Sequence, residues 1–82
     1  MSLHLVFSIP GWSACDPCRA QEDVVVLMGD GVYASPKDQV YAIDADLKAR
    51  GLRLDDKLKH AITYAEFVKL TETHHPTVSW ND

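Results

Sequence analysis

Apolar and polar positions fall into two spacings along the chain, and each spacing predicts a different kind of element. Leu3-His4-Leu5-Val6-Phe7 is a short apolar run ahead of Pro10-Gly11 and reads as a first strand closed by a turn. Val24-Val25-Val26-Leu27-Met28 is continuously apolar between Asp23 and Gly29, the pattern of a strand buried on both faces in a parallel sheet covered by helices. Val40-Tyr41-Ala42-Ile43 predicts a third strand that leads straight into a helix over 44–50, with Asp44 as its cap, Lys48 and Arg50 near its carboxyl end and Gly51 as a left-handed stop. Residues 52–59 read as a charged loop, followed by a short strand around Ala61-Ile62-Thr63. A last helix is expected from about Tyr64 to His74, with Tyr64, Phe67, Val68 and Thr71 forming one stripe toward the sheet. Pro76 ends that helix, and Val78-Ser79-Trp80 is expected as an edge strand or a docked tail. Between Ser13 and Glu22 the pattern allows a short helix whose start Pro17 restricts.

Strands alternating with helices at short spacing imply βαβ units with right-handed crossovers. The expected fold is therefore α/β: a single domain over 1–82 with three α/β/α layers and a mostly parallel sheet of four or five strands, flavodoxin-like in arrangement. A chain of 82 residues buries only ~60–65% of the surface its unfolded form exposes. Short helices then leave apolar sheet surface uncovered, and a partner chain is the expected cover.

Composition narrows the function. Hydrophobic residues make up 46% and charged residues 24%, the balance of a packed domain rather than of a disordered tail. Twelve acidic against eight basic residues give a net charge of −4, so no global field favours a polyanion and direct tight nucleic-acid binding is not expected. The amino-terminal run lacks a basic leader and is broken by Pro10, so neither a signal peptide nor a membrane span is predicted, and the cytoplasm is the expected location. In a reducing compartment Cys15 and Cys18 are left to packing, redox chemistry or sulfur chemistry.

Cys15-Asp16-Pro17-Cys18, between Trp12 and Arg19, has the local look of a thiol oxidoreductase motif. In such motifs the first sulfur sits at a helix amino end, where the dipole lowers its pKa, and the second resolves a mixed disulfide. Only four residues separate Cys18 from Asp23, too few for the long helix that a free-standing oxidoreductase of that kind places there. Sulfane-sulfur transfer is a second use of the same thiols and requires one exposed thiol with a depressed pKa. Plain packing is the third reading, and sequence leaves all three open. Zinc on Cys15, Cys18, His74 and His75 fails on spacing, since adjacent histidines on a helix point apart. No cofactor is implied. His4 and His60 have no partner in local sequence and receive no role. Asp30-Gly31 follows the buried strand at its carboxyl end, where α/β sheets gather ligand or subunit contacts, though the pair is by default a turn. Lys48, Arg50, Arg53, Lys57 and Lys59, interrupted by Asp55 and Asp56, form a mixed segment that reads as a solvated face or an acidic partner's contact.

Taken in order, Leu3-His4-Leu5, Asp30-Gly31-Val32-Tyr33-Ala34, Val40-Tyr41-Ala42-Ile43, Asp46-Leu47-x-Ala49-Arg50-Gly51-Leu52, Tyr64-x-x-Phe67-Val68-x-Leu70-Thr71 and Trp80 resemble the TusB/DsrH family over nearly the whole chain. The resemblance implies an accessory subunit of a complex similar to TusBCD, in which three related α/β subunits form a heterotrimer that doubles to a heterohexamer. Such complexes pass persulfide sulfur to a downstream acceptor protein. The Tus relay leads to 2-thiolation of the wobble uridine in tRNA, and the related DsrEFH relay serves sulfur oxidation. In both, the principal sulfur-carrying cysteine belongs to the TusD/DsrE-type subunit, with a TusC/DsrF-type subunit beside it. Cys15, rather than Cys18, matches the cysteine of DsrH-like members and is the candidate relay thiol; TusB-like members can lack it. Asp30, Gly31 and Trp80 are the candidate interface residues. The chain departs from the family pattern at Pro17 and Cys18, and in the short stretch 35–39 where a helix is often found.

Overall fold

A computed structural model describes residues 2–52 and 58–81. Arg53, Asp55, Asp56 and Lys57 of the mixed-charge segment lie outside the described residues.

The apolar runs become five strands: β1 (Leu3–Val6), β2 (Val24–Leu27), β3 (Val40–Ile43), β4 (Lys59–Ile62) and β5 (Thr77–Trp80). Three α-helices intervene: α1 (Ile9–Cys15), α2 (Asp44–Ala49) and α3 (Tyr64–Thr73). Two 3₁₀ stretches, Asp16–Cys18 and Gly29–Tyr33, complete the connections. The sheet order is β4-β3-β2-β1-β5, and all four pairings are parallel. As in flavodoxin-like sheets, the first strand lies one in from an edge and the chain reverses its direction across the sheet once. Here the reversal is the last step, from β4 to β5.

Right-handed crossovers fix the layers. Steps from β1 through β4 all move one way, so α1, the Gly29–Tyr33 stretch and α2 share one face, and the return to β5 puts α3 on the other. The core divides accordingly. On the first face Val6, Trp12, Cys15, Val25, Leu27, Val32, Val40, Ala42 and Leu47 pack together, with Trp80 leaning against them. On the second, Leu3, Val26, Ile43 and Ile62 meet Phe67 and Leu70 of α3. One helix alone covers that second face, and none of its residues is buried. Leu5, Val24, Met28 and Tyr41 on that face stay partly exposed.

Local details depart from the sequence reading in ways that have physical causes. Pro10-Gly11 is no turn but the first turn of α1: the Ser8 hydroxyl caps it by accepting from Gly11 N at 3.0 Å, and Pro10 sits where a missing N–H costs nothing. The first helix therefore starts before Ser13, and Pro17 falls in the 3₁₀ stretch that ends it. Asp44 is inside α2 rather than its cap, and pairs with Lys48 one turn on at 3.0 Å. β4 begins at Lys59, which the sequence assigned to loop, and Thr63 is instead the cap of α3 in a reciprocal capping box with Glu66. The stripe on α3 is shifted: Phe67 and Leu70 face the sheet, whereas Tyr64 and Val68 are exposed. Gly51 takes the left-handed φ of 65° expected of it. Among the described residues no helix is long and apolar enough to cross a membrane.

Candidate functional site: the cysteine turn and the buried histidine network

The residues singled out by sequence separate to opposite ends of the sheet. α1 runs back from the carboxyl end of β1, so Cys15 and Cys18 arrive at the amino-terminal edge, whereas Asp30, Gly31 and the backbone of Trp80 lie toward the carboxyl edge.

Cys15 is the last residue of α1. Gly11, Trp12 and Cys15 form the buried side of that helix, and Cys15 is fully enclosed. Burial pushes its thiol up to about 11; Arg19 opposes this, while Asp16, Cys18 and Asp23 add to it. The sulfur also sits at the negative, carboxyl pole of its helix, the reverse of the position that activates a thiol. A thiol that takes sulfur from a donor, or opens a donor's disulfide, needs exposure and a lowered pKa, and this environment gives Cys15 neither. Cys18, at the end of the 3₁₀ stretch, is exposed.

Arg19 follows directly on Cys18. Its guanidinium lies 5.2 Å from the centre of the Trp12 ring. It donates to Asp16 at 3.0 Å and Asp38 at 2.9 Å. The cation thus clasps α1 to the 35–39 loop across the helix end. Asp16, Arg19, Gln21, Asp23, Asp38 and Gln39 border an open polar cleft of about 620 Å³. A neighbouring hollow of about 350 Å³ has Val24, Tyr41 and His60 in its wall.

The network that sequence reasoning missed is centred on His4. It is buried, its Nε2 lies 2.8 Å from Asp23 Oδ2, and its Nδ1 accepts from the indole N–H of Trp80 at 3.1 Å. An indole nitrogen only donates, so Nδ1 carries no proton and Nε2–H donates to Asp23. Asp23 also accepts from Ser2 N and Ala20 N, both at 2.9 Å. The His4 hydrogen bond, with these backbone donors, holds its carboxyl down at about 2. Sequence offered one signal: a histidine inside an apolar strand must find partners when buried.

At the other edge, Arg50 donates twice to one oxygen of exposed Asp30, at 3.0 and 3.1 Å. Asp46 accepts from Gly29 N at 2.9 Å. Gly31 is buried where a side chain would strike the Val6 carbonyl. Trp80 is half-buried against its own sheet. The crevice where the chain reverses, between β1 and β5, is the usual ligand position in open α/β sheets. Here it is filled by α1, with Gly11 packed so closely on the Trp80 carbonyl that a Cβ would come within 2.6 Å of its oxygen. Among the described residues no three His, Cys, Asp or Glu side chains converge as metal ligands would.

The family model described as DsrH like protein matches residues 11–77, which span α1 to the start of β5. No curated protein matches the chain. Family members work with DsrE- and DsrF-like subunits. The all-parallel sheet, the layered helices and this match over most of the sequence lead to one assignment: the chain belongs to the DsrH-like protein family and is a sulfur-relay subunit.

Proposed function

We propose that this chain is an accessory subunit of a cytoplasmic sulfurtransferase complex that relays persulfide sulfur toward 2-thiolation of the wobble uridine in tRNA. TusC/DsrF-type and TusD/DsrE-type sisters complete a heterohexamer, the TusD/DsrE-type subunit carries the working thiol, and a downstream acceptor protein takes the sulfur on.

The burial of Cys15 carries this reading. The cysteine that matches the DsrH pattern is enclosed and held protonated, so the subunit has the character of members that do without that thiol. That favours the tRNA branch over sulfur oxidation. Two further features support assembly. On the α3 side the helix presents Tyr64 and Val68 and the sheet the partly exposed Leu5, Val24 and Tyr41, apolar surface that a sister subunit would cover. Of the three candidate interface residues, Asp30 faces outward at the carboxyl edge.

The test is twofold. Co-expressed with sister subunits from its own source, the chain should enter a hetero-oligomer seen by native mass spectrometry. Cells lacking it should lose 2-thiouridine from tRNA nucleoside digests, and both wild type and Cys15→Ala should restore it. Unchanged 2-thiouridine with impaired oxidation of reduced sulfur would move the chain to the other branch. A stable monomer that ignores its sisters would remove the reading altogether.

A further inference from the structure

Cys15 and Cys18 occupy one helical turn but differ sharply in access. The backbone at Cys15 (φ −69°, ψ −45°) and Asp16 (φ −52°, ψ −48°) is right-handed helical, and Arg19 N donates to Cys15 O at 3.1 Å, closing the turn. Residues three apart in such a turn have Cα atoms roughly 5–6 Å apart, within the span that a disulfide bridges. Pro17, with its restricted φ, lies between them. Cys18 is exposed and Cys15 is buried.

We propose that Cys18 and Cys15 act in sequence as acceptor and resolver, so that sulfane sulfur taken up on Cys18 leaves as hydrosulfide when Cys15 closes a disulfide across the turn. This rests on the sulfur-relay reading, which supplies sulfane sulfur as the substrate class, and it adds to the subunit a means of clearing sulfur that strays onto it. In the first step the Cys18 thiolate attacks the outer sulfur of a persulfide donor. The new S–S bond forms as the donor's breaks, the donor departs as a thiolate, and Cys18 carries the persulfide. In the second step deprotonated Cys15 attacks Cys18 Sγ. The Cys15–Cys18 bond forms, and the bond from Cys18 to the outer sulfur breaks with its electron pair going to hydrosulfide. The two cysteine sulfurs are oxidised to a disulfide and the outer sulfur is reduced; a dithiol reductant restores the pair. The enclosure of Cys15 sets the timing. Its thiol, facing Arg19, Asp16, Cys18 and Asp23, stays protonated near neutral pH, so the persulfide persists and closure quickens as the pH rises.

The test uses the reduced full chain with inorganic polysulfide as the probe, following intact mass and released hydrosulfide. Wild type should gain one sulfur on Cys18, then lose it with one equivalent of hydrosulfide as the disulfide forms. The closing rate should rise roughly tenfold per pH unit above neutrality, as the thiolate fraction does. Cys15→Ala should hold the persulfide at least tenfold longer, and Cys18→Ser should release no hydrosulfide. The pH profile of wild type keeps the test decisive if Cys15→Ala folds poorly. A wild-type persulfide as durable as that of Cys15→Ala, closure insensitive to pH, or no loading of Cys18 would overturn the proposal. The isolated chain and an inorganic donor involve neither sister subunits nor tRNA, so failure here and failure of the assembly reading are separately visible.

Discussion

The indole N–H of Trp80 donates to Nδ1 of His4 at 3.1 Å, joining the last strand to the first through two side chains 76 positions apart. Trp80→Phe removes the donor together with the five-membered part of the indole, leaving a buried imidazole nitrogen unsatisfied. The expected loss is about 1–3 kcal/mol, read as a lower urea midpoint with unchanged slope. A variant as stable as wild type would show that the hydrogen bond contributes nothing.

Asp23 makes the same network pH-sensitive. Its carboxyl is held at about 2 against an ordinary value of 3.8, so the folded state favours the ionised form. The stabilisation is complete above the ordinary value and disappears as the pH falls through about 2. Asp23→Asn should therefore be less stable than wild type at neutral pH, and the gap should narrow steadily in that acid window. Parallel denaturation curves for the two proteins across that range provide the check.

Gly31 and Gly11 are fixed by close backbone approach, Gly51 by its dihedral. A methyl at position 31 meets the Val6 carbonyl and one at 11 meets the Trp80 carbonyl, whereas one at 51 meets nothing within 4 Å. Gly31→Ala and Gly11→Ala must shift β1 or β5 and should each cost about 1–3 kcal/mol. Gly51→Ala, at φ 65°, should cost only about 1 kcal/mol. Thermal melts of the three variants test that ranking.

The two cysteines should separate in simple labelling. Iodoacetamide at neutral pH should modify Cys18 in the native chain and reach Cys15 only after unfolding, as mapped by peptide mass spectrometry. Cys15→Ser places a hydroxyl in an apolar site and should lose about 1–3 kcal/mol, while Cys18→Ser should change stability by less than about 0.5 kcal/mol.

The layered fold was legible because strands β2 and β3 are apolar runs with clear ends, and alternating elements leave few topologies. The first helix was not, because Pro10-Gly11 carries a turn signal that Ser8 overrides by capping. That one displacement hid the fate of Cys15: once the helix starts at Ile9, Cys15 stands one turn beyond buried Gly11, on the same side. Capping chemistry at Thr63 was likewise concealed inside what read as a strand end. The His4 network was beyond local pattern altogether, since its partners Asp23 and Trp80 meet it only through strand register. Some exposed apolar surface was expected from chain length, but not that α3 would turn Tyr64 and Val68 outward.

Because β5 docks beside β1, the seam of the sheet stays open until the ribosome has delivered Trp80, however early the other four strands are made. A nascent or truncated chain halted before residue 77 carries the bare backbone edge of its first strand, a template for pairing with another molecule. Stalled synthesis is therefore expected to expose a β1 edge that the finished fold pairs with β5.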